Sequence, residues 1–370
     1  MMKVGVLTSS RADYGVYLPL LKKLENDSFF NLEVIAFGTH MSKFHGFTLN
    51  NILDDKFSKV NSISSLLSND DQQSIATSYG LTVLKFADFW KNNQYDYVFC
   101  LGDRFEMNAA VQAGVPFRVN FIHLYGGETT MGAIDDIYRH QITLASKIHF
   151  TSTIDYKTKV ENILGVNNDV YSVGALSLDG IEHFKALNKT VFFEKFGIVN
   201  ENFALVTFHP ETILVDSNEH FATQMRLALE EILKSINLVI TMPNADTLGS
   251  VYRDNLIELE LANPNQVKLI ENFGKENYFS AMYYSKLLIG NTSSGIIEAA
   301  SFGKYVVNVG ERQKGRAQSK NIFDANFDNT DIKLKFNKAI KLADFNGENI
   351  YYKKNTANNI IKVIKQYEKL

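Results

Sequence analysis

The chain has 370 residues, more than one hydrophobic core usually serves, and its 45% hydrophobic and 21% charged residues suffice to fill two. Its 38 basic and 41 acidic residues leave a formal charge of -3 with no basic block long enough to follow a phosphate backbone, which excludes nucleic acid as a partner. A single cysteine, Cys100, lies in the apolar run Tyr97-Val98-Phe99-Cys100-Leu101 and leaves no internal disulfide framework, while the opening MMKVGVLTSS is too short for a signal peptide or a membrane span; a cytoplasmic protein without membrane contact is expected.

Short runs rich in Val, Ile and Phe at 3–8, 32–37, 95–101 and 119–124 read as strands buried on both faces, hence as a parallel sheet. Between them, 14–26 sets Tyr17, Leu20, Leu21 and Leu24 at helical spacing, and 105–113 and 135–146 read as further helices. The Ser-, Asn-, Asp- and Gln-rich stretch 61–74 is expected to be a mobile loop. From 174 to about 202 the periodicity weakens, which places a linker there. A second series follows, with strands at 203–208, 238–242, 267–270, 287–289 and 305–309 alternating with helices at 219–234, 248–261, 278–285 and 295–301. The last segment, 356–370, reads as a helix carrying Ile360, Ile361, Val363 and Ile364. The expected fold is α/β: two Rossmann-like lobes, 1–175 and 176–355, with a central cleft lined by the carboxyl ends of both sheets, where open α/β sheets bind ligands.

Several strand ends carry polar sets that packing does not require. The first runs Thr8-Ser9-Ser10-Arg11-Ala12-Asp13 straight into a helix, so backbone N–H groups, Ser10 and the Arg11 guanidinium suit an anion; the alternative is a capped helix start with Arg11 solvated. No GxGxxG or Walker loop follows, which disfavours a dinucleotide or P-loop role. In Gly102-Asp103-Arg104, the aspartate is a cleft carboxylate or the N-cap of the next helix, and the cap is the simpler local reading. In His123-Leu124-Tyr125-Gly126-Gly127-Glu128, paired glycines let the backbone approach a ligand and Glu128 projects from the turn. Asp135 and Arg139 lie four apart, as do Asp136 and His140, a spacing that locally reads as a surface ion pair. In the second series, His209-Pro210-Glu211-Thr212 and Pro243-Asn244 follow strands, and Gly290-Asn291-Thr292-Ser293-Ser294-Gly295 opens a helix with Glu298 one turn in. The hydroxyls of Thr292 and Ser293 with the N–H groups up to Gly295 suit a diphosphate, and Glu298 suits two ribose hydroxyls; ordinary capping and a solvated glutamate are the plainer readings.

Taken in order, these motifs, with Gly310-Glu311-Arg312-Gln313, resemble the hydrolysing UDP-N-acetylglucosamine 2-epimerases of sialic acid and legionaminic acid biosynthesis, over about residues 3–325. The resemblance implies a fold like the B-type glycosyltransferases, with the C-terminal helix 356–370 packing back on the first lobe, a UDP-sugar as ligand, no metal or other cofactor, and self-association as a dimer or tetramer. It implies elimination of UDP to a 2-acetamidoglucal, then hydration with inversion at C2 to give N-acetylmannosamine. Asp103 and Asp135 become the carboxylate candidates for proton transfer, with His209 and Arg11 at the phosphates or leaving oxygen and Arg139 positioning Asp135 or the sugar. Thr292 and Ser293 would hold the diphosphate, Glu298 the ribose, and Asn244 and Arg312 the nucleotide or sugar.

One position departs from the family pattern: many members have glutamate where this chain has Tyr125. Glu128 is the nearest remaining carboxylate and is expected to take over part of the acid–base work, with Tyr125 shaping the sugar pocket. The same loop varies in members acting on 2,4-diacetamido-2,4,6-trideoxy-glucose, so a UDP- or GDP-linked form of that sugar is the alternative substrate. A B-type glycosyltransferase and a nucleotide-sugar sensor are the readings from other classes.

Overall fold

A computed structural model of the chain describes residues 1–43, 46–67, 71–129, 134–211, 214–243 and 249–369. Asn244, expected to contact the nucleotide or sugar, lies outside the described residues, as does Thr212 of the His209 motif. The chain divides into two compact units, one of Met1–Glu128, Ile134–Asp179 and Tyr351–Leu370, the other of Gly180–Ile350 with Thr129.

The first unit runs β1 (Met2–Thr8), α1 (Arg11–Glu25), β2 (Phe30–Ala36), α2 (Leu49–Asp54), β3 (Val60–Ser62), α3 (Gln72–Asn92), β4 (Tyr97–Leu101), α4 (Phe105–Gly114), β5 (Phe121–Leu124), α5 (Asp135–Ala145), β6 (Ser146–Thr151), α6 (Ile154–Leu164) and β7 (Val170–Ser172). Its strands form one sheet in the order β3-β2-β1-β4-β5-β6-β7. Every pairing in it is parallel, as the helical crossovers require. Both faces are covered. Val4, Val6, Phe99 and Ile122 pack with Tyr17, Leu20, Leu21 and Leu24 of α1 on one face. Leu7, Ile35, Val98 and Phe121 pack with Phe86 and Trp90 of α3 and Met107 of α4 on the other.

The second unit follows with α7 (Lys189–Phe196), β8 (Phe203–Thr207), α8 (Asn218–Ile232), β9 (Asn237–Thr241), α9 (Gly249–Ala262), β10 (Val267–Ile270), α10 (Lys275–Tyr284), β11 (Leu288–Gly290), α11 (Ser293–Ile297), β12 (Val306–Val309), β13 (Ile322–Ala325) and α12 (Asn329–Ala339). Its parallel sheet is ordered β10-β9-β8-β11-β12-β13. The strand order reverses beside β1 and β4 in the first sheet and beside β8 and β11 in the second. Such reversal points leave a crevice at the carboxyl ends of the strands. The chain closes with α13 (Thr356–Ile364), whose Ile360, Ile361 and Ile364 enter the first unit's core beside α1.

Several sequence expectations are corrected. The stretch 61–74 is not one loop: it holds the end of β3 and the start of α3, a helix of 21 residues. Its buried face is Ser78, Thr82, Phe86 and Trp90, so the first half packs through hydroxyls, with Thr82 donating to Ser65 Oγ and Ser78 Oγ accepting from the N–H of Leu67, and no apolar period shows. The expected linker, 174–202, contains α7, whose Phe192 and Phe193 are buried in the second unit. Helix α1 begins at Arg11 rather than 14, because Ser10 and Asp13 form a reciprocal capping box.

Ile360 is fully buried, and its truncation leaves a cavity the surrounding core closes only in part. Ile360→Ala should destabilise the first unit by about 2–5 kcal/mol. The measurement is the urea unfolding midpoint, and an unchanged midpoint would show that α13 is not part of the core.

Candidate active site

At the end of β1 the buried Asp13 carboxylate gathers donors. Its Oδ1 accepts from the N–H and Oγ of Ser10 at 2.7 and 2.8 Å and from the N–H of Tyr14 at 2.9 Å. Its Oδ2 accepts from the N–H and Oγ of Ser9 at 2.8 and 3.0 Å. Ser10, expected to face the ligand, therefore has its hydroxyl engaged in the helix cap, while Arg11 in the first turn stays exposed.

The centre of the first unit's strand-end cluster is Arg139, on the buried face of α5 and only 1% exposed. Its Nη2 donates to Asp103 Oδ2, and its Nη1 donates to the Tyr125 carbonyl at 3.1 Å. Glu128 Oε2 lies 3.8 Å from Nη1 and Asp136 Oδ1 lies 3.7 Å from Nε. Two local expectations fail here. Asp103 does not cap α4: Arg104 occupies the cap position without a side-chain capping bond, and its guanidinium holds the buried Glu106. Arg139 is not a surface partner of Asp135 but a buried cation whose main partner comes from another strand end.

The loop after β5 explains how this cluster is presented. Tyr125 has a positive φ of 65°, and at Gly127, with φ 79°, a Cβ would lie 2.4 Å from the Tyr156 carbonyl oxygen, so glycine is required. This turn aims the Tyr125 carbonyl at Arg139, while the Tyr125 hydroxyl accepts from the N–H of Ser177 at 3.3 Å. Glu128 is 2% exposed, and its Oε1 accepts from Ser152 Oγ at 2.9 Å. His123 is buried between the Gly102 carbonyl at 2.9 Å and Thr143 Oγ1 at 3.1 Å. Burial drives its pKa down to about 3, so it is a neutral strut of the loops.

Asp135 stands apart from the Arg139 bonds. Burial first, and then the nearby Asp103 charge, push its carboxyl up to about 6 against the pull of Arg139 and Arg104. The cluster thus offers one carboxylate fixed by a guanidinium beside one carboxyl that exchanges its proton near neutral pH, which is the inventory for acid–base chemistry at carbon.

In the second unit, the loops after β8 and β11 meet at the reversal point. Asn291, fully buried, brackets His209 by accepting its N–H and donating to its carbonyl, both at 2.8 Å. At Gly290, φ 143°, a Cβ would fall 1.8 Å from the Thr207 carbonyl oxygen, so the two strand ends touch backbone to backbone. Thr292 caps α11 by accepting from the N–H of Ser294 at 3.3 Å, and Ser293, beside it, is half-buried. Helix α11 has five residues, and a 3-10 helix over Ala299–Phe302 follows it, so the helix expected over 295–301 is found as two consecutive helical pieces with half-buried Glu298 at their junction. Gly295 is buried, and a Cβ there would press on Val306 Cγ1 at 3.1 Å. Arg312 reaches the Pro210 carbonyl with Nη1 at 2.6 Å. Among the described residues no group of three or more His, Cys, Asp or Glu is arranged to hold a metal ion, and no helix is long and apolar enough to cross a membrane.

Solved structures share this two-sheet α/β fold, which is also like that of the B-type glycosyltransferases. UDP-GlcNAc 2-epimerase from Neisseria meningitidis, crystallised bound to UDP-GlcNAc, superposes with a TM-score of 0.82 at 19% identity, over 99% of this chain and 100% of that one. The sequence goes further: residues 22–365 match the profile described as UDP-N-acetylglucosamine 2-epimerase, and the chain belongs to that family. Among its relatives, the GDP/UDP-N,N'-diacetylbacillosamine 2-epimerase (hydrolyzing) of Campylobacter jejuni is 32% identical over 330 residues, covering 89% of this chain and 85% of the relative. The UDP-N,N'-diacetylbacillosamine 2-epimerase (hydrolyzing) of Legionella pneumophila is 33% identical over 324 residues, covering 87% and 84%.

A carboxyl whose folded pKa is raised contributes stability that is present below its unfolded value, 3.8, and is lost as pH rises through about 6. Asp135→Asn should therefore be more stable than the native chain above pH 6, with the difference closing toward pH 4. Urea unfolding across that range measures it, and a difference independent of pH would contradict the raised pKa.

Proposed function

We propose that this enzyme is a hydrolysing 2-epimerase acting on a UDP-linked 2,4-diacetamido-2,4,6-trideoxy-glucose, that is, N,N'-diacetylbacillosamine. The carrying observation is the Arg139 cluster, where Asp103 is held as a fixed proton acceptor beside the titratable Asp135. The C. jejuni and L. pneumophila relatives, both named for that sugar, support the substrate, as does a tyrosine at 125 where many UDP-N-acetylglucosamine enzymes have glutamate. UDP-N-acetylglucosamine itself is the second reading, favoured by the ligand of the N. meningitidis structure.

In the proposed reaction Asp103 takes the C2 proton, the C1–oxygen bond breaks, and UDP leaves with the bonding pair, giving a glycal with a C1–C2 double bond. Water then adds at C1 while a proton is delivered to the opposite face of C2. Asp135, protonated in part near pH 6, fits the donor. Buried Glu128, bonded to Ser152 and lying against Arg139, is assigned to holding the guanidinium rather than to exchanging protons. In the second unit His209, Thr292, Ser293 and Arg312 are assigned to the diphosphate and Glu298 to the ribose, groups that bind without reacting.

In heavy water the free sugar should carry one deuterium at C2; retention of the original hydrogen would rule out elimination. The diacetamido substrate should give the larger kcat/KM of the two, and the reverse order would restore UDP-N-acetylglucosamine as the substrate. Asp103→Asn should lower kcat by roughly 10²- to 10⁴-fold while UDP affinity holds. An active Asp103→Asn enzyme would remove Asp103 from the chemistry.

A further inference from the structure

The loops after β8, β11 and β12, three neighbouring strands of the second sheet, carry the groups assigned above to the nucleotide. The ladder runs one residue past the strand ends, with the Asn291 N–H donating to the Thr207 carbonyl and the Gly310 N–H to the Ala325 carbonyl. Beyond that, side chains from each loop hold them. Asn291, after β11, brackets both backbone polar groups of His209, after β8. Glu211, two residues beyond His209 and 4% exposed, accepts with Oε1 from the N–H groups of Glu311 and Arg312 at 3.0 and 3.1 Å, after β12. Gln313, 4% exposed, closes the circuit by donating from Nε2 to the Asn291 carbonyl at 2.9 Å. Arg312 adds a return bond to Pro210.

The anchoring is deeper than one contact per loop. The Glu211 backbone is itself bracketed by Asn218 of α8, which accepts from its N–H and donates to its carbonyl, both at 2.9 Å. At Gly310, φ 78°, a Cβ would lie 2.5 Å from Glu211 Oε1, so the glycine makes the room the carboxylate occupies. Burial raises the Glu211 pKa, and the two backbone donors pull against that. A carboxylate kept in so dry a place needs those donors.

We infer that Glu211, Asn291 and Gln313 are positioning residues that set the affinity for the nucleoside diphosphate, by fixing His209, Thr292 and Arg312 before the ligand arrives. This rests on the reading above that the second unit takes the nucleotide. Loops held in the bound geometry lose little freedom on binding, and affinity reflects what is not lost. None of the three needs to touch the ligand.

The test is UDP binding by titration calorimetry, with kcat and KM, on the full chain. Glu211→Ala should weaken UDP about tenfold or more and raise KM in parallel, with kcat within a few-fold, tenfold corresponding to a modest loss of preorganisation. Glu211→Gln keeps an acceptor for both N–H groups and should bind UDP within about threefold of the native chain. Arg312→Ala should cost less in the Glu211→Ala background than alone, since Arg312 is presented by Glu211. A part that only stabilised the fold would lower the melting temperature and leave the UDP affinity of the folded protein unchanged, which would overturn the inference. So would a Glu211→Gln variant as weak as Glu211→Ala. Should Glu211→Ala fail to fold, Gln313→Leu removes one bond and decides in the same way. A native chain that fails to bind UDP would instead bring down the nucleotide reading itself, and the inference with it.

Discussion

A guanidinium with 1% exposure cannot lie in a protein interior without compensation, and the loops after β4 and β5 in the first unit are arranged around that demand at Arg139. Asp103, Glu128, Asp136 and the Tyr125 carbonyl come from three different segments, and each is turned toward the same cation. Three carboxylates around one guanidinium leave the region rich in negative charge. A fourth, Asp135, resists ionisation first because it is buried and then because the Asp103 charge lies near it. Satisfying Arg139 thus adds to a rise that burial begins.

The sheet topology decides which residues can join such a cluster. With β4 and β5 adjacent and parallel, the ends of both strands, Gly102-Asp103 and Tyr125-Gly126, emerge side by side at one edge of the sheet. His123 ties them together by bonding the Gly102 carbonyl from the neighbouring strand. The same rule in the second sheet brings the ends of β8 and β11 so close that only glycine fits at 290. Function concentrates at these ends because a parallel sheet leaves backbone groups free there and nowhere in its middle.

Much of this was legible in the sequence for a physical reason: strands covered on both faces need continuous apolar runs, and those runs marked the parallel sheets and the two-lobed α/β class. The losses have reasons too. Helix α3 hid because Ser78 and Thr82 pack as well as apolar residues once their hydroxyls find partners. Local spacing paired Arg139 with Asp135, four residues away, yet the main partner of Arg139 is Asp103, 36 residues away, which only strand order brings near. Capping statistics likewise favoured Asp103 as an N-cap, and a buried cation outweighed that local preference. The motifs around Glu211, Asn291 and Gln313 could be quoted from the sequence, but where those side chains end, on the backbone of a neighbouring loop, depends on the order β8-β11-β12.

The two units therefore fix their strand-end loops by different physics, and the difference matches the work proposed for each. In the first unit the cross-links around Arg139 include ion pairs, and the charge of Asp103 held there adds to the rise in the Asp135 pKa. In the second, the cross-links are chiefly bonds between side-chain amides and backbone groups, with one buried carboxylate capped by two N–H groups. Bonds between neutral groups fix geometry with little effect on nearby titrations. A surface that must move a proton at carbon gains from the first arrangement; one that must hold a diphosphate and a ribose unchanged through the reaction gains from the second, where mostly neutral bonds supply the rigidity.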